Sequence, residues 1–183
     1  MRLWSLRIAG RASRPSGHSV RGGGRIVRGG FDCGEPVLNQ WLREQAGQSE
    51  RRDTARTYLA VDSAGELGGY VSLCLAQIDG ADLSLPGLTD RYPISAVRLA
   101  RLAVDVRYQG QGLGSYLLAQ SVRLAHEVME RAAFQVLVVD ALDADVTAFY
   151  ARWGFARFRD DPCRLYLTAA QIRASVHEAQ KRE

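Results

Sequence analysis

The spacing of apolar and polar residues predicts one helix followed by a β-hairpin near the start of the folded part of the chain. Apolar side chains recur at helical spacing behind Pro36, which suits the first turn of a helix. These positions are Val37, Leu38, Trp41, Leu42 and the pair Gln45 and Ala46. The patterns of Thr57–Val61 and Leu67–Ile78 predict two strands joined by a turn at Asp62–Gly65.

Strands and helices are predicted to alternate along the second half of the chain. Prolines and a glycine in Leu85–Pro93 predict a loop. Alternation over Ala96–Val106 predicts a buried strand, and Ser115–Arg131 has the apolar stripe of a long helix. The run "FQVLVVDA" is continuously apolar, as in a strand whose sheet is covered on both faces. A last strand is predicted at Arg164–Leu167.

Capping residues mark the two helices predicted nearest the C-terminus. Asp143 can cap a helix over Ala144–Trp153, which is expected to stop at Gly154. Thr168 can cap an amphipathic helix over Ala169–Lys181. Helices and strands in this order, without an internal repeat, predict an α/β (α+β) fold around one mixed sheet.

The formal net charge of +4 comes from the N-terminal residues and does not describe the folded part. Residues 1–30 contain seven arginines and no acidic residue, whereas the rest of the chain has 17 basic and 20 acidic residues. The basic balance is therefore not the footprint of a nucleic-acid-binding surface. Because this leader is also rich in glycine and serine, we expect residues 1–25 to be disordered, although a transit peptide shares this composition. The folded domain is expected over residues 26–168, and a helical tail over residues 169–183.

The patterns of cysteine, histidine and hydropathy argue against a metal-binding protein and a membrane protein. The 183 residues include three cysteines and three histidines, and neither set has the spacing of metal ligands. No apolar run approaches the ~18–20 residues that a membrane span needs. We therefore expect a soluble protein without a metal, in a reducing cytoplasm.

Glycines at alternate positions stand between a predicted strand and a predicted helix, in "VRYQGQGLGSYLL". Glycine lets neighbouring main-chain N–H groups turn inward together, and these add to the unpaired N–H groups at the start of the helix. This arrangement favours a phosphate or pyrophosphate, although a tight strand-to-helix turn would use the same residues. The stretch lacks the lysine of a P-loop, and its G-x-G-x-G spacing differs from the G-x-G-x-x-G of dinucleotide-binding folds.

Gln109, Gly112 and Gly114 match the pattern Q/R-x-x-G-x-G/A, which resembles the acetyl-CoA signature of the GNAT acetyltransferases. The stretches "RLARLAVDVRYQGQGLGSYLL", "VLVVDALDADVTAFYARWGF" and "FDCGEPVLNQWL" look like one branch of that family. That branch is the toxins of bacterial toxin–antitoxin systems that acetylate the amino group of aminoacyl-tRNA. The resemblance runs from about Phe31 to Leu167 and implies the GNAT fold, a mostly antiparallel mixed sheet with splayed central strands.

The resemblance implies acetyl-CoA as the acetyl donor and indicates the residues that would hold it. The strand before the glycines would bind the pantetheine arm through the main chain of Leu102, Ala103 and Val104. The pyrophosphate would rest on the main-chain N–H groups of Gln109, Gly110, Gln111, Gly112, Leu113, Gly114 and Ser115. Tyr150 would hydrogen-bond or protonate the departing thiolate, because a phenol with a pKa of about 10 stays neutral at pH 7. Phe149 is expected to pack, and the same two rings could simply form an aromatic pair in the core.

No carboxylate occupies the strand where many lysine-acetylating GNAT enzymes place a general base. That strand carries Arg98 and Arg101 instead, and Asp105 lies at its far end. A lysine amine, with a pKa of about 10.4, needs deprotonation at neutral pH, whereas an α-amine near 7.7–8.0 is already partly neutral. The residues therefore favour an α-amino acceptor, with a base from a loop or through water left open.

A tRNA substrate would need basic contacts, and the family implies a protein partner. The candidate tRNA contacts are Arg91, Arg98, Arg43 and Arg52. A solvated helix face explains the arginines around the first helix equally well. Toxins of this family are neutralised by a small DNA-binding antitoxin of the ribbon-helix-helix type, which implies such a partner here. A homodimer stays open, and no membrane partner is expected.

Two other functions fit the same motifs. An acetyltransferase of protein N-termini or small amines would act without tRNA. A non-catalytic acyl-CoA-binding module would bind the cofactor without turnover. Tyr150 argues against the module, because binding by itself needs no acid at the sulfur.

Overall fold

Seven strands among the described residues of the computed structural model form one sheet, in the order β1-β2-β3-β4-β5-β7-β6. The structure describes residues 4–8, 30–79, 83 and 93–181. The strands are β1 (Ser5–Ile8), β2 (Arg56–Val61), β3 (Leu67–Ile78), β4 (Ile94–Val104), β5 (Val136–Asp140), β6 (Ala156–Arg157) and β7 (Arg164–Thr168). The helices are α1 (Pro36–Glu44), α2 (Ala46–Arg51), α3 (Leu113–Met129), α4 (Ala144–Arg152) and α5 (Ala169–Gln180), with a 3-10 helix at Val106–Tyr108.

Two compact units make up the chain, the first within residues 1–72 and 101–118 and the second within residues 73–100 and 119–183. The core of the first unit is a buried cluster around Tyr70, which is fully buried. Tyr70 stacks on Trp41 of α1 with ring centroids 5.8 Å apart, and its hydroxyl donates to the carbonyl oxygen of Leu38. Burial of these rings holds α1 against the β2–β3 hairpin.

The predicted hairpin is confirmed, and the turn shows why it forms. Asp62 Oδ1 accepts hydrogen bonds from the N–H groups of Ala64 and Glu66, each at 2.9 Å. Gly65 has φ +84°, a left-handed conformation that glycine adopts without a steric penalty. The carboxylate and the glycine together close the turn between β2 and β3.

The expectation of a disordered leader over residues 1–25 is wrong for Ser5–Ile8. These residues form β1, which pairs antiparallel with β2 from Ser5 opposite Val61 to Ile8 opposite Tyr58. Main-chain hydrogen bonds to a neighbouring strand do not depend on side-chain hydrophobicity, so composition gave a weak signal here. Trp4 is also described, whereas residues 1–3 and 9–25 of the predicted leader lie outside the described residues.

The first helix differs from the predicted pattern in which side chains it buries. Val37 was expected on the apolar face, yet it is 75% exposed. Asn39 is buried instead, because its amide donates to Asp32 Oδ1 at 2.7 Å and its Oδ1 accepts from Cys33 N at 3.0 Å. The helix also ends at Glu44, and a separate helix begins at Ala46.

The second unit contains residues 94–100 of β4 together with β5, β6 and β7. Strands β4 and β5 are parallel, with Ala96 opposite Val136 through Leu99 opposite Val139. β5 pairs antiparallel with β7, and β7 pairs antiparallel with the short strand β6. The described strands therefore form a mixed, mostly antiparallel sheet, as expected.

The predicted caps in the second unit are confirmed. Asp143 Oδ1 accepts from Val146 N at 2.8 Å at the start of α4, and Gly154 follows the helix with φ +85°. Thr168 and Gln171 form a reciprocal capping box at the start of α5. Ile172 of α5 is fully buried, so the C-terminal helix packs within this unit. Within the described residues, no helix is long and apolar enough to cross a membrane.

Candidate active site

A buried carboxylate ends β4 and starts the segment that leads to the glycines. Asp105 is 1% exposed, and its main-chain N–H donates to the carbonyl oxygen of Gly68 at 2.9 Å. Its carboxylate accepts from the main-chain N–H of Arg107 at 3.0 Å and thereby caps the 3-10 helix. The strand predicted to reach Val106 therefore stops at Val104, and Val106 is half exposed.

The guanidinium of Arg107 completes the surroundings of Asp105. Arg107 Nε lies 2.8 Å from Asp105 Oδ1, and Arg107 Nη2 lies 3.0 Å from Asp105 Oδ2. The main-chain N–H of Asp32 also donates to Oδ2, at 3.2 Å. Burial by itself would raise the pKa of Asp105, but the hydrogen bonds from Arg107 and Asp32 hold it below its usual value. A carboxylate held ionised by these donors is a poor proton acceptor, so Asp105 is not a candidate general base.

Gln109 ties the segment before the glycines to two other parts of the first unit. Its side-chain Nε2 donates to the carbonyl oxygen of Val104 at 3.0 Å and to that of Cys33 at 3.0 Å. The main-chain N–H of Val106 also donates to the carbonyl oxygen of Asp32, at 2.8 Å. The loop is therefore anchored on one side by the end of β4 and on the other by the segment that enters α1.

The glycine segment has the backbone conformation that an anion-binding loop requires. Gly110 and Gly112 have φ +70° and +85°, which L-residues with a Cβ rarely adopt. A Cβ at either position would meet no atom within 4 Å, so backbone conformation rather than crowding explains these two glycines. The first main-chain bond of α3 in the described part of the chain runs from Tyr116 N to Gly112 O. Binding of a diphosphate by the N–H groups of the preceding turn stays a prediction.

The residues at the end of β4 that were predicted to hold the pantetheine arm differ in exposure. Ala103 is buried, whereas Leu102 and Val104 are partly exposed. On β3, a Cβ at Gly69 would lie 2.8 Å from the carbonyl oxygen of Ala103, which is too close. The glycine therefore permits β3 and the end of β4 to approach each other.

Tyr150 lies in the second unit, on α4, in an apolar setting. It is 5% exposed, and its ring contacts Phe149 and Phe155 at centroid distances of 5.3 and 5.5 Å. Burial, together with the negative charge of Asp140, raises the pKa of Tyr150. The phenol therefore keeps its proton at neutral pH, which is the state that a general acid needs.

Arg98 is held by a neighbouring strand rather than projecting freely. Its Nη1 lies 3.1 Å from Asp140 Oδ2, and Arg164 Nε lies 3.6 Å from Asp140 Oδ1. Arg98 Nε is buried and has no hydrogen-bond partner among the described residues. The ion pair with Asp140 on the neighbouring strand therefore already uses part of the guanidinium that was predicted to contact tRNA.

Two of the other arginines predicted to contact tRNA, Arg43 and Arg52, lie in the first unit. Arg43 is exposed on α1 and lines a polar cavity of about 510 Å³ with Asp32 and Asn39. Arg52 is exposed at the end of α2. Arg91 lies outside the described residues. Their contacts with tRNA stay a prediction.

Comparison with known proteins identifies the family. A family model described as "Acetyltransferase (GNAT) domain" matches residues 53–157, more than half of the chain. The protein belongs to the GNAT acetyltransferases. The enzyme is 30% identical over 149 residues to a tRNA-acetylating toxin of Mycobacterium tuberculosis, covering 80% of this chain and 88% of that protein. Its acetyl donor is accordingly acetyl-CoA.

Solved structures support the fold of this GNAT enzyme. AtaT complexed with acetyl-methionyl-tRNAfMet superposes with a TM-score of 0.78 at 23% identity, covering 93% of this chain and 98% of that one. A tyrosine-to-phenylalanine variant of AtaT, bound to the C-terminus of the antitoxin AtaR and to acetyl-CoA, gives a TM-score of 0.73 at 23% identity. That match covers 92% of this chain and 95% of the other.

Sequence reasoning missed several residues that organise the site of this GNAT enzyme. Asp32, Asn39 and Arg107 form the hydrogen-bond network around the loop, although no motif marks them. The side chain of Gln109 was also overlooked, since a main-chain role was expected for it. An aspartate at the end of a predicted strand, with an arginine two positions later, could have indicated the network at Asp105.

Proposed function

We propose that this GNAT enzyme transfers the acetyl group of acetyl-CoA to the α-amino group of aminoacyl-tRNA and thereby blocks translation. The observation that carries the proposal is the 30% identity to a tRNA-acetylating toxin over 88% of that protein's length. The site adds support, because Asp105 is engaged by Arg107 and Asp32 and leaves the acceptor strand without a base. An α-amine tolerates this, because it is partly deprotonated near neutral pH.

The residues of this chain divide the chemistry between binding and proton transfer. The main-chain N–H groups from Gln109 to Ser115 hold the diphosphate, and the main chain of Leu102, Ala103 and Val104 holds the pantetheine arm. The neutral α-amine attacks the acetyl carbonyl carbon, forming a C–N bond as the C–S bond breaks. Tyr150 gives its hydroxyl proton to the departing sulfur, so CoA leaves as the thiol. The nitrogen of the new amide gives its extra proton to water, and the phenolate of Tyr150 takes a proton back from water.

Tyr150 suits this role because its environment keeps it protonated. Its pKa is raised by burial and by the charge of Asp140, so no fraction is lost to ionisation at neutral pH. The similar structure of AtaT with acetyl-CoA carries a tyrosine-to-phenylalanine substitution, which supports a functional role for a tyrosine in this fold. The neutral phenol is in the state that can hydrogen-bond or protonate the departing thiolate.

The proposal includes a location and a partner. Aminoacyl-tRNA is a cytoplasmic substrate, so we place the enzyme in the cytoplasm. AtaT is bound to the C-terminus of the antitoxin AtaR in one similar structure, and we propose a small DNA-binding antitoxin for this chain. Co-expression should relieve growth inhibition if such a protein is encoded beside it.

Acceptor specificity decides between the proposal and its alternatives. The purified protein is incubated with acetyl-CoA and, in separate reactions, charged tRNA, uncharged tRNA, peptides and small amines. We expect N-acetyl-aminoacyl product from charged tRNA and negligible transfer in the other reactions. Equal transfer to peptides or small amines would instead establish the broader acetyltransferase. Binding of acetyl-CoA with no turnover on any acceptor would establish a binding module.

A further inference from the structure

Trp4 touches both borders of the glycine segment. Its indole packs edge-on against Tyr108, with ring centroids 5.0 Å apart and planes at 76°. Its main-chain carbonyl oxygen accepts a hydrogen bond from Tyr116 Oη at 3.2 Å. Tyr108 ends the 3-10 helix directly before the glycines, and Tyr116 lies in the first turn of α3 directly after them. One residue from the start of the chain therefore bridges the two ends of the segment Gln109–Ser115.

We propose that Trp4 is a positioning residue that holds this segment in the conformation that binds the diphosphate of acetyl-CoA. The inference rests on the proposed role of Gln109–Ser115 as the diphosphate loop. Gly110 and Gly112 give the segment conformational freedom, and a Cβ at either would meet nothing within 4 Å. Its rigidity therefore depends on contacts at its two ends, where the Gln109 side chain anchors one end and Trp4 contacts both bordering tyrosines. Tyr108 is 7% exposed, and Trp4 contributes to that burial.

The sequence of β3 is adapted to this contact. A Cβ built at Gly68 would overlap the six-membered ring of Trp4, and it would lie 2.9 Å from Leu113 Cδ2. The carbonyl oxygen of Gly68 also accepts from the N–H of Asp105, which begins the turn toward the loop. Gly68 therefore provides the space that the indole occupies beside the first residue of α3.

Comparing two acetyl donors tests the role of Trp4. Steady-state kinetics are measured for wild type, Trp4→Ala and Trp4→Phe with acetyl-CoA and with S-acetylpantetheine, which lacks the diphosphate. We expect Trp4→Ala to raise KM for acetyl-CoA about tenfold, as a modest displacement of a binding group does, with kcat little changed. S-acetylpantetheine should react equally well with both proteins, and Trp4→Phe should recover most of the affinity.

Two controls separate this inference from the proposed function and from general loss of folding. Trp153→Ala, which removes an exposed indole, should leave both donors unaffected. If wild type binds no CoA by calorimetry, the proposed loop itself is wrong. If wild type binds and Trp4→Ala binds equally well, or loses both donors in parallel, Trp4 does not position the loop.

A double-mutant cycle at Gly68 provides a second test that does not require Trp4→Ala to be fully stable. Gly68→Ala should weaken CoA binding, because the new methyl group displaces the indole. In the Trp4→Ala background the same methyl meets mainly the flexible end of Leu113, so the added loss should be several-fold smaller. Strictly additive effects of the two substitutions on CoA affinity would overturn the proposed coupling.

Discussion

Gln109 Nε2 lies 3.0 Å from the carbonyl oxygen of Cys33, a residue 76 positions earlier in the chain. The same nitrogen lies 3.0 Å from the carbonyl oxygen of Val104, the last residue of β4. Gln109 is the first residue of the acetyl-CoA signature, so one side chain joins the signature, the strand before it and the entry to α1. The side chain therefore has a structural use that is separate from the proposed use of its main-chain N–H.

Replacing Gln109 with methionine should reduce both stability and affinity for the donor. The substitution keeps the length of the side chain and removes two hydrogen bonds, so we expect the free energy of unfolding to fall by about 1–3 kcal/mol. KM for acetyl-CoA should rise because the loop loses its anchor. Urea unfolding and steady-state kinetics measure the two effects. Gln111→Met is the stability control, since it removes one exposed, local bond to Arg107 O and should cost less than about 0.5 kcal/mol.

Asp105 should make stability depend on pH in the acidic range. Its pKa in the folded protein is lowered, so its contribution is present above the unfolded pKa of about 3.9 and is lost as pH falls through the folded value. At pH 7, Asp105→Asn should unfold at lower denaturant concentration than wild type. The difference between the two proteins should shrink below about pH 4. A difference that stays constant from pH 7 to pH 3 would contradict an ionised Asp105 as its source.

Tyr150→Phe should reduce turnover while leaving donor binding intact. The change removes one oxygen from a buried ring that keeps its contacts with Phe149 and Phe155, so the fold should be preserved. Loss of a general acid lowers kcat by roughly 10²–10⁴-fold. Affinity for CoA, measured by calorimetry, should change little. Tyr166→Phe, a matched substitution of another buried tyrosine, should keep normal kcat, and an equal loss in both variants would argue against a specific role for Tyr150.

The activity should rise with pH and then stay level through the range in which an ordinary tyrosine begins to ionise. The acceptor α-amine loses its proton near pH 7.7–8.0, so kcat/KM should increase through that range. The raised pKa of Tyr150 keeps its hydroxyl protonated beyond about pH 10, the value of a free phenol. Single-turnover assays on charged tRNA, kept short to limit ester hydrolysis, record the profile. A fall in kcat/KM centred near pH 9 that disappears in Tyr150→Phe would show that the phenol ionises early.

Where a hydrogen bond joins residues only a few positions apart, the sequence was sufficient to predict the local structure. The turn at Asp62–Gly65, the cap at Asp143 and the capping box at Thr168 each depend on partners two to four positions away. The glycine pattern predicted a loop that needs left-handed backbone, and Gly110 and Gly112 adopt it. The family was also predictable from these motifs, since their spacing is local.

Only the tertiary structure decided the features that depend on distant partners. β1 was missed because its stability comes from pairing with residues of β2 that lie 50 to 56 positions later, and not from its own composition. Asn39 is buried and Val37 exposed because Asp32 and Cys33 satisfy the amide, which no helical periodicity can show. From the sequence, Asp105 is a carboxylate at the far end of a strand, and only its partners Arg107 and Asp32 show that it is a structural anion. A residue's chemistry is set by the groups that surround it, and those groups are known once the chain has folded.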